Sequence, residues 1–333
     1  MPITNTRVLL ASRPTGWVEE SNFDIVEAAV PSLADGEILV RNHWLSLDPY
    51  MRGRMNDARS YAAKMEIGDV MVGGTVGEIV ESKNARFAVG DFVTAAFGWQ
   101  EYGVSNGQGA RKVSAGVPLS TYLGVVGMPG VTAYIGLYDI GAPKAGETVV
   151  VSAAAGAVGS VVGQLAKIRG CRAVGIAGGR TKCDEVVRDY GFDACVDYKA
   201  SDFHDALRAE TPSGVDVSFE NVGGPIMDAV LRRLNPFARV PLCGLVSQYN
   251  VTEPYGVKSF ASLLANRVKL QGFIVSEHLD RWPEALEKLG AWVKDGKIRY
   301  KETVAHGIRS APRAFIGMLK GENVGKQIVK LVP

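Results

Sequence analysis

The chain has 333 residues, 47% of them hydrophobic and 22% charged, with a formal net charge of +2. That is a globular composition, long enough for two domains. It carries no basic block that would point to nucleic acid or an anionic membrane, and no apolar run of bilayer length.

The N-terminal part reads as all-β. Short runs at Arg7–Ala11, Glu37–Arg41, Gly77–Glu81 and Asp91–Ala95 are separated by turn residues, and glycines recur between them as the corners of a small distorted barrel require. Gly127–Tyr134 opens a short helix. Strands and helices then alternate. Strands are expected over 149–152, 173–177, 194–198, 215–221, 238–244 and 269–275, with helices at 182–190, 202–210, 225–234 and 283–294 between or after them. Such alternation predicts a doubly wound parallel sheet with right-handed crossovers. A strand at 303–305, a helix at 311–319 and a strand at 325–331 close the chain, and the last strand suits a return to the β-rich part. The expected division is 1–124, 125–298 and 299–333.

One stretch organises the rest. Val149-Val150-Val151-Ser152 runs into Ala153-Ala154-Ala155-Gly156-Ala157-Val158-Gly159 and then into a helix with an apolar stripe. A strand, a turn of small residues and a helix make the start of a dinucleotide-binding βαβ unit. Small residues let the backbone approach a pyrophosphate, and the first-turn N–H groups of the helix face its charge. Ala154 stands where the usual fingerprint has its first glycine. An ordinary tight turn in another α/β fold is the competing explanation.

The end of the second strand selects the nucleotide. An acidic residue roughly 20 positions past the glycines commonly holds the adenosine ribose hydroxyls of NAD. Here Ala177-Gly178-Gly179-Arg180-Thr181-Lys182 has no carboxylate and two cations. Arg180 and Lys182 would attract a 2′-phosphate, so NADP(H) is the expected cofactor. The four cysteines, Cys171, Cys183, Cys195 and Cys243, form no CxxC pair, and the four histidines show no ligand spacing. No metal is expected. Free thiols and an N-terminus without signal-peptide sections point to the cytoplasm.

The order of these parts resembles the medium-chain dehydrogenase/reductase superfamily. Asn42-His43-Trp44-Leu45-Ser46-Leu47-Asp48-Pro49-Tyr50-Met51-Arg52-Gly53-Arg54-Met55 is close to a signature of its zinc-free double-bond reductase branch, which includes prostaglandin, plant alkenal and bacterial curcumin reductases. Gly127–Tyr134, Ala153–Gly159, Glu220–Gly224, Gly244–Asn250 and Gly321–Lys326 are similar to that branch too, in its order and along nearly the whole chain. The superfamily's zinc ligands are missing: no cysteine precedes Cys171, and Val72-Gly73-Gly74 stands where Gly-His-Glu would be. The resemblance implies a Rossmann sheet plus a GroES-like barrel domain, and a homodimer. It implies that Gly156, Ala157, Val158 and Gly159 hold the pyrophosphate. Lys182 and Tyr198, with Gly178, take the 2′-phosphate end. Met128, Thr132, Asn221, Cys243, Gly244, Tyr249, Phe273, Ile274, Val275, Asn323 and Gly325 contact the rest of the cofactor. Glu220 departs from the aspartate of many relatives.

Without a Lewis acid, direct ketone reduction is hard, because charge develops at once on oxygen. A conjugated enal or enone is easier: hydride adds at the β-carbon, the charge spreads into an enolate, and a hydroxyl stabilises the oxygen. Tyr249 follows a strand's carboxyl end, where ligands of open parallel sheets gather, and is the expected catalytic tyrosine. Tyr50 and Tyr61 are the candidate substrate contacts. The expected activity is NADPH-dependent reduction of the C=C bond of α,β-unsaturated aldehydes and ketones. A quinone oxidoreductase is the alternative among enzymes. An NADPH-binding sensor or structural protein is the alternative outside them.

Overall fold

The computed structural model describes residues 3–113 and 116–332. Two compact units divide the chain, Met1–Gly124 with Glu302–Pro333, and Val125–Lys301.

The first unit begins with β1 (Thr4–Leu10) and β2 (Phe23–Ala29), an antiparallel pair. β3 (Ile38–Ser46), α1 (Tyr50–Arg54), β4 (Thr75–Ser82), β5 (Phe92–Ala95), β6 (Tyr102–Ser105) and β7 (Arg111–Lys112) follow. β3 is the hub: it pairs antiparallel with β4 and with β6, and its register against β4 shifts twice. Such irregularities bend a strand and sharpen its twist. Gly77 shows why glycine recurs here, since a Cβ would stand 2.2 Å from the Arg41 carbonyl oxygen of β3.

The second unit is built on a parallel sheet. Its elements are α2 (Met128–Ile135), β8 (Thr148–Ser152), α3 (Gly159–Ile168), β9 (Arg172–Ala177), α4 (Arg180–Tyr190), β10 (Ala194–Asp197), α5 (Phe203–Glu210), β11 (Val215–Phe219), α6 (Gly224–Leu231), β12 (Leu234–Leu242), α7 (Ala261–Ala265), β13 (Lys269–Gly272) and α8 (Trp282–Lys294). The strands lie in the order β10-β9-β8-β11-β12-β13, all parallel. Every residue of β8 is buried, as expected of a central strand covered on both faces. Consecutive strands run outward from β8 to one edge, and β11 starts again on its other side. This is the doubly wound Rossmann order, and its switch point lies between the carboxyl ends of β8 and β11.

β14 (Glu302–His306), α9 (Ala311–Leu319) and β15 (Lys326–Lys330) complete the first unit. β15 pairs antiparallel with β3. Several boundaries differ from the sequence expectation, the strand expected at 238–244 running Leu234–Leu242 among them. The helix expected to reach Leu234 stops at Leu231, because Leu234 already pairs with Val215 of β11. α4 starts two residues before Lys182, directly after Gly179, whose φ of +98° sets the turn. The strand expected through Val275 ends at Gly272, and Val275 opens a 3-10 turn. Among the described residues no helix is long and apolar enough to cross a membrane.

Candidate functional site

The turn after β8 is shaped by backbone contacts. Ala153 has a φ of +51°, unusual for a residue with a side chain, and its carbonyl accepts the Gly156 N–H at 2.9 Å. A Cβ on Gly159 would stand 2.3 Å from that same oxygen, whereas one on Gly156 would meet only that oxygen, at 3.2 Å. Gly159 is therefore glycine because the turn closes on itself. Gly156 faces open space. α3 starts at Gly159 after Val158, and no side chain caps it. Within its first turn the N–H of Ser160 donates to the Gly156 carbonyl (3.0 Å), and those of Val161 (3.1 Å) and Val162 (3.0 Å) to the Val158 carbonyl, while the helix dipole still favours negative charge before Gly159. Ala154, the apparent flaw in the fingerprint, is fully buried. Its methyl lies 2.8 Å from where a Gly175 Cβ would be, so a glycine on β9 makes room for a methyl on the turn.

The strand order brings β11 to this turn. Ser152 Oγ donates to Glu220 Oε1 (3.0 Å) and accepts the Asn221 N–H (2.8 Å), while Asn221 Nδ2 donates to the Ser152 carbonyl (2.8 Å). Glu220 Oε1 also accepts the N–H groups of Val222 (2.6 Å) and Gly223 (2.7 Å). Glu220 is fully buried, its Oε2 has no hydrogen-bond partner among the described residues, and burial pushes its carboxyl up. The added methylene relative to aspartate lets one carboxyl oxygen reach across to β8 and turn the chain into α6. Neither the clamp nor its reach was legible in the sequence, which marked Glu220 only as a departure. The Cys243 N–H donates to the Glu220 carbonyl (2.9 Å), and burial, with Glu220 nearby, pushes the Cys243 thiol up to about 12.

At the end of β9, Gly178 is covered by the ring of Tyr198: a Cβ there would be 2.9 Å from Tyr198 Cε1 and from its hydroxyl oxygen. Asp197, the carboxylate near this end, is engaged by backbone, accepting the N–H groups of Gly179 (2.7 Å) and Lys199 (2.9 Å). Lys182 is partly buried, and burial first, then the charge of Lys199, lowers its pKa. Two ammonium groups thus lie close enough to repel. Lys199 was not singled out in the sequence, although it directly follows Tyr198. Arg180 Nε donates to Asp184 Oδ1 one turn on (2.9 Å), and both side chains are exposed.

Tyr249 follows the 3-10 turn Val246–Gln248 beyond β12. Its hydroxyl oxygen accepts the Leu245 N–H (3.2 Å) and lies 3.2 Å from where a Gly244 Cβ would be. Thr132 Oγ1 donates back to the Met128 carbonyl (2.8 Å) within α2. Phe273 is buried edge-on against Phe219, with ring centroids 6.4 Å apart. Ile274 is extended, and the Val275 carbonyl accepts the Trp282 indole N–H (3.1 Å).

The remaining candidates lie in the first unit. Tyr50 opens α1 directly after Pro49. Burial, then the charge of Asp48, holds its phenol well above the ordinary range, and the Tyr61 hydroxyl adds to this from nearby. Tyr61 is exposed, between α1 and β4. Beneath Tyr50, Lys326 Nζ donates to Asp48 Oδ1 (2.9 Å) and to the Leu47 carbonyl (2.5 Å), and Ser46 Oγ bonds to Asp48 Oδ2. Asn323 Nδ2 donates to the Gly325 carbonyl (2.9 Å) in the turn before β15. Among the described residues no three His, Cys, Asp or Glu side chains group as metal ligands.

Comparison with known proteins places this geometry. Residues 6–113 match the family described as "N-terminal domain of oxidoreductase", and residues 157–291 that described as "Zinc-binding dehydrogenase". The NADPH-dependent curcumin reductase of Escherichia coli K12 is 48% identical over 98% of this chain and 97% of its own. The NADP(+)-dependent 2-alkenal reductase of Nicotiana tabacum is 41% identical, with 98% of this chain and 97% of its own covered. The crystal structure of CurA from Vibrio vulnificus in complex with NADPH superposes with a TM-score of 0.95 at 48% identity, covering 98% of this chain and 99% of that one. The chain belongs to the medium-chain dehydrogenase/reductase superfamily, in its zinc-independent double-bond reductase branch.

Proposed function

We propose that this protein reduces the C=C bond of α,β-unsaturated aldehydes and ketones with NADPH. The observation that carries the reading is on the second unit: α3 without a side-chain cap behind the open Gly156, and Lys182 with Lys199 beside Tyr198, where Asp197 is engaged by backbone N–H groups. The likeness to reductases named for NADPH, curcumin and 2-alkenals supports it.

NADPH, when bound, supplies the hydride. The chain's own residues do the rest. Gly156 to Gly159 seat the pyrophosphate, and Lys182, Tyr198 and Gly178 the 2′-phosphate end. Asn221, Cys243, Gly244, Phe273, Ile274 and Val275 carry the remaining contacts on this unit, with Met128 and Thr132 of α2. On the first unit, taken by itself, Tyr50 and Tyr61 are the candidate substrate contacts. Tyr249 stabilises the enolate oxygen. A phenol whose oxygen accepts an N–H is a better proton donor than a bare one, because the same bond stabilises the phenolate.

The test is a panel of enals, enones, ring enones and quinones, with NADPH and NADH in parallel, run on the parent and on Tyr249→Phe. Enones should consume NADPH in preference to NADH. The variant should lose about a hundredfold in kcat, the usual effect of removing one oxyanion donor. A kcat within about twofold of the parent would refute the role of Tyr249. Turnover of quinones alone would refute the activity.

A cytoplasmic homodimer completes the reading. β13 is an edge strand of the parallel sheet, and exposed Phe260 and Leu264 lie just before it, Leu264 at 85% exposure. A two-fold axis beside β13 would pair it with its copy and cover these side chains.

A further inference from the structure

The nucleotide reading leaves three of the four cysteines without a task, and two of them lie together. Cys183 lies in the first turn of α4 and is 4% exposed. Cys195 lies on β10, paired in register with Gly175 of β9. Gly175 brings them together. A Cβ there would stand 3.1 Å from Cys195 Sγ and 3.0 Å from Val186 Cγ1 of α4. Without that Cβ, α4 settles closely on the sheet, with the Cys195 sulfur filling the space. Cys183 is one turn before Val186 on the same helix and faces the same gap. The two thiols lie within hydrogen-bonding contact of each other.

We propose that Cys183 and Cys195 are an oxidisable thiol pair that closes to a disulfide under hydrogen peroxide and thereby weakens the hold on the 2′-phosphate of NADPH. The pairing rests on the Gly175 gap that α4 and β10 share and on the contact between the two thiols, while its consequence rests on the nucleotide reading given above. The two sulfurs are unequal. Cys183 lies in the first turn of α4, where the helix N-terminus favours a thiolate. Cys195 lies on β10, away from any helix N-terminus, and takes the second step as the thiol. The Cys183 thiolate attacks peroxide, the O–O bond breaks, and a sulfenic acid forms with release of hydroxide, which takes up a proton. The Cys195 sulfur then displaces the sulfenic oxygen as water, forming the S–S bond. Overall two thiols and one peroxide give one disulfide and two waters, with sulfur oxidised and peroxide reduced.

The consequence follows from position. Lys182 is the residue before Cys183, and Tyr198 follows β10 by one residue and covers Gly178. Closing from hydrogen-bond contact to a bond of about 2 Å draws the first turn of α4 toward β10. Lys182 moves with that turn.

The experiment uses the full chain. Reduced protein is treated with stoichiometric hydrogen peroxide, alkylated, digested and mapped by mass spectrometry. NADPH and NADH affinities are measured alongside by nucleotide fluorescence. We expect a Cys183–Cys195 linked peptide lacking two hydrogens and NADPH binding about tenfold weaker. NADH binding should change far less, and a dithiol should reverse both effects. Cys195→Ser should abolish link and response, and Cys171→Ser should keep both. Oxidation that stops at sulfinic acid on Cys183, or falls on Cys171 without a link, would overturn the pairing. A link that leaves NADPH affinity unchanged would overturn the consequence. The mapping of the parent decides the pairing even where a variant fails to fold. A reduced protein with no preference for NADPH would count against the nucleotide reading and leave the pairing to the map.

Discussion

Gly156 and Gly159 are three residues apart in one turn, yet alanine should act on them in opposite ways. At Gly159 the new Cβ would lie 2.3 Å from the Ala153 carbonyl oxygen, 2.9 Å from its carbon and 3.0 Å from Ala154 Cα. All three are backbone atoms, so no side chain can swing aside. The turn must open by at least about 0.7 Å for that oxygen contact to become tolerable. Ala153 is already at positive φ, and its oxygen already holds the Gly156 N–H. Overpacking of this kind costs about 2 kcal/mol, which lowers Tm by roughly 5 °C in a unit of this size. At Gly156 the Cβ meets one atom at 3.2 Å and otherwise open space, and the residue is not at positive φ. Stability should change by no more than about 1 kcal/mol, since the contact is offset by a less flexible unfolded chain. The open space is where the proposed pyrophosphate lies. A methyl there displaces it by about an ångström, and NADPH binding should weaken by about tenfold to a hundredfold. Calorimetry and NADPH fluorescence titration separate the two effects. A Gly156→Ala protein that melts like the parent and binds NADPH within about twofold of it would refute the turn as the phosphate cradle.

Lys182→Ala should weaken NADPH by about 2 kcal/mol, the typical contribution of a hydrogen bond to a charged group, and leave NADH unchanged. Burial and Lys199 lower the Lys182 pKa in the free protein, and a bound phosphate raises it again. NADPH affinity should therefore be level near neutrality and fall as pH rises through the free-protein value, with proton uptake on binding. Titrations against pH that show the same fall for NADH would contradict this. In the first unit, Lys326→Met leaves the Asp48 carboxylate buried without its ion pair, which should cost about 3–5 kcal/mol, with partial recovery on adding Asp48→Asn. A parent-like denaturant midpoint for Lys326→Met would show that the pair is dispensable. Leu264→Glu should turn the proposed dimer into a monomer by light scattering. A parent that is already monomeric at micromolar concentration would remove the dimer from the reading.

Local pattern carried much of this protein. The alternation of β-branched runs with apolar-striped helices marked out the strands of the parallel sheet, because buried parallel strands and amphipathic helices write their periods into neighbouring residues. The small-residue turn, the acid-free end of β9 and the missing zinc ligands were equally local. Boundaries at Leu234, Lys182 and Val275 were not, since pairing and turn geometry override propensity at element ends. Tertiary structure decided what touches what. Ser152 and Glu220 are 68 residues apart and meet only because β11 starts on the far side of β8. Lys326 reaches Asp48 across 278 residues because β15 pairs with β3. Ala154 looked like a defect until Gly175 was found beneath it, and Cys183 and Cys195 looked unrelated until the same glycine brought α4 down on the sheet. A sequence names the groups that can do chemistry. The distances that let them act arise only when strands distant in the chain are packed side by side.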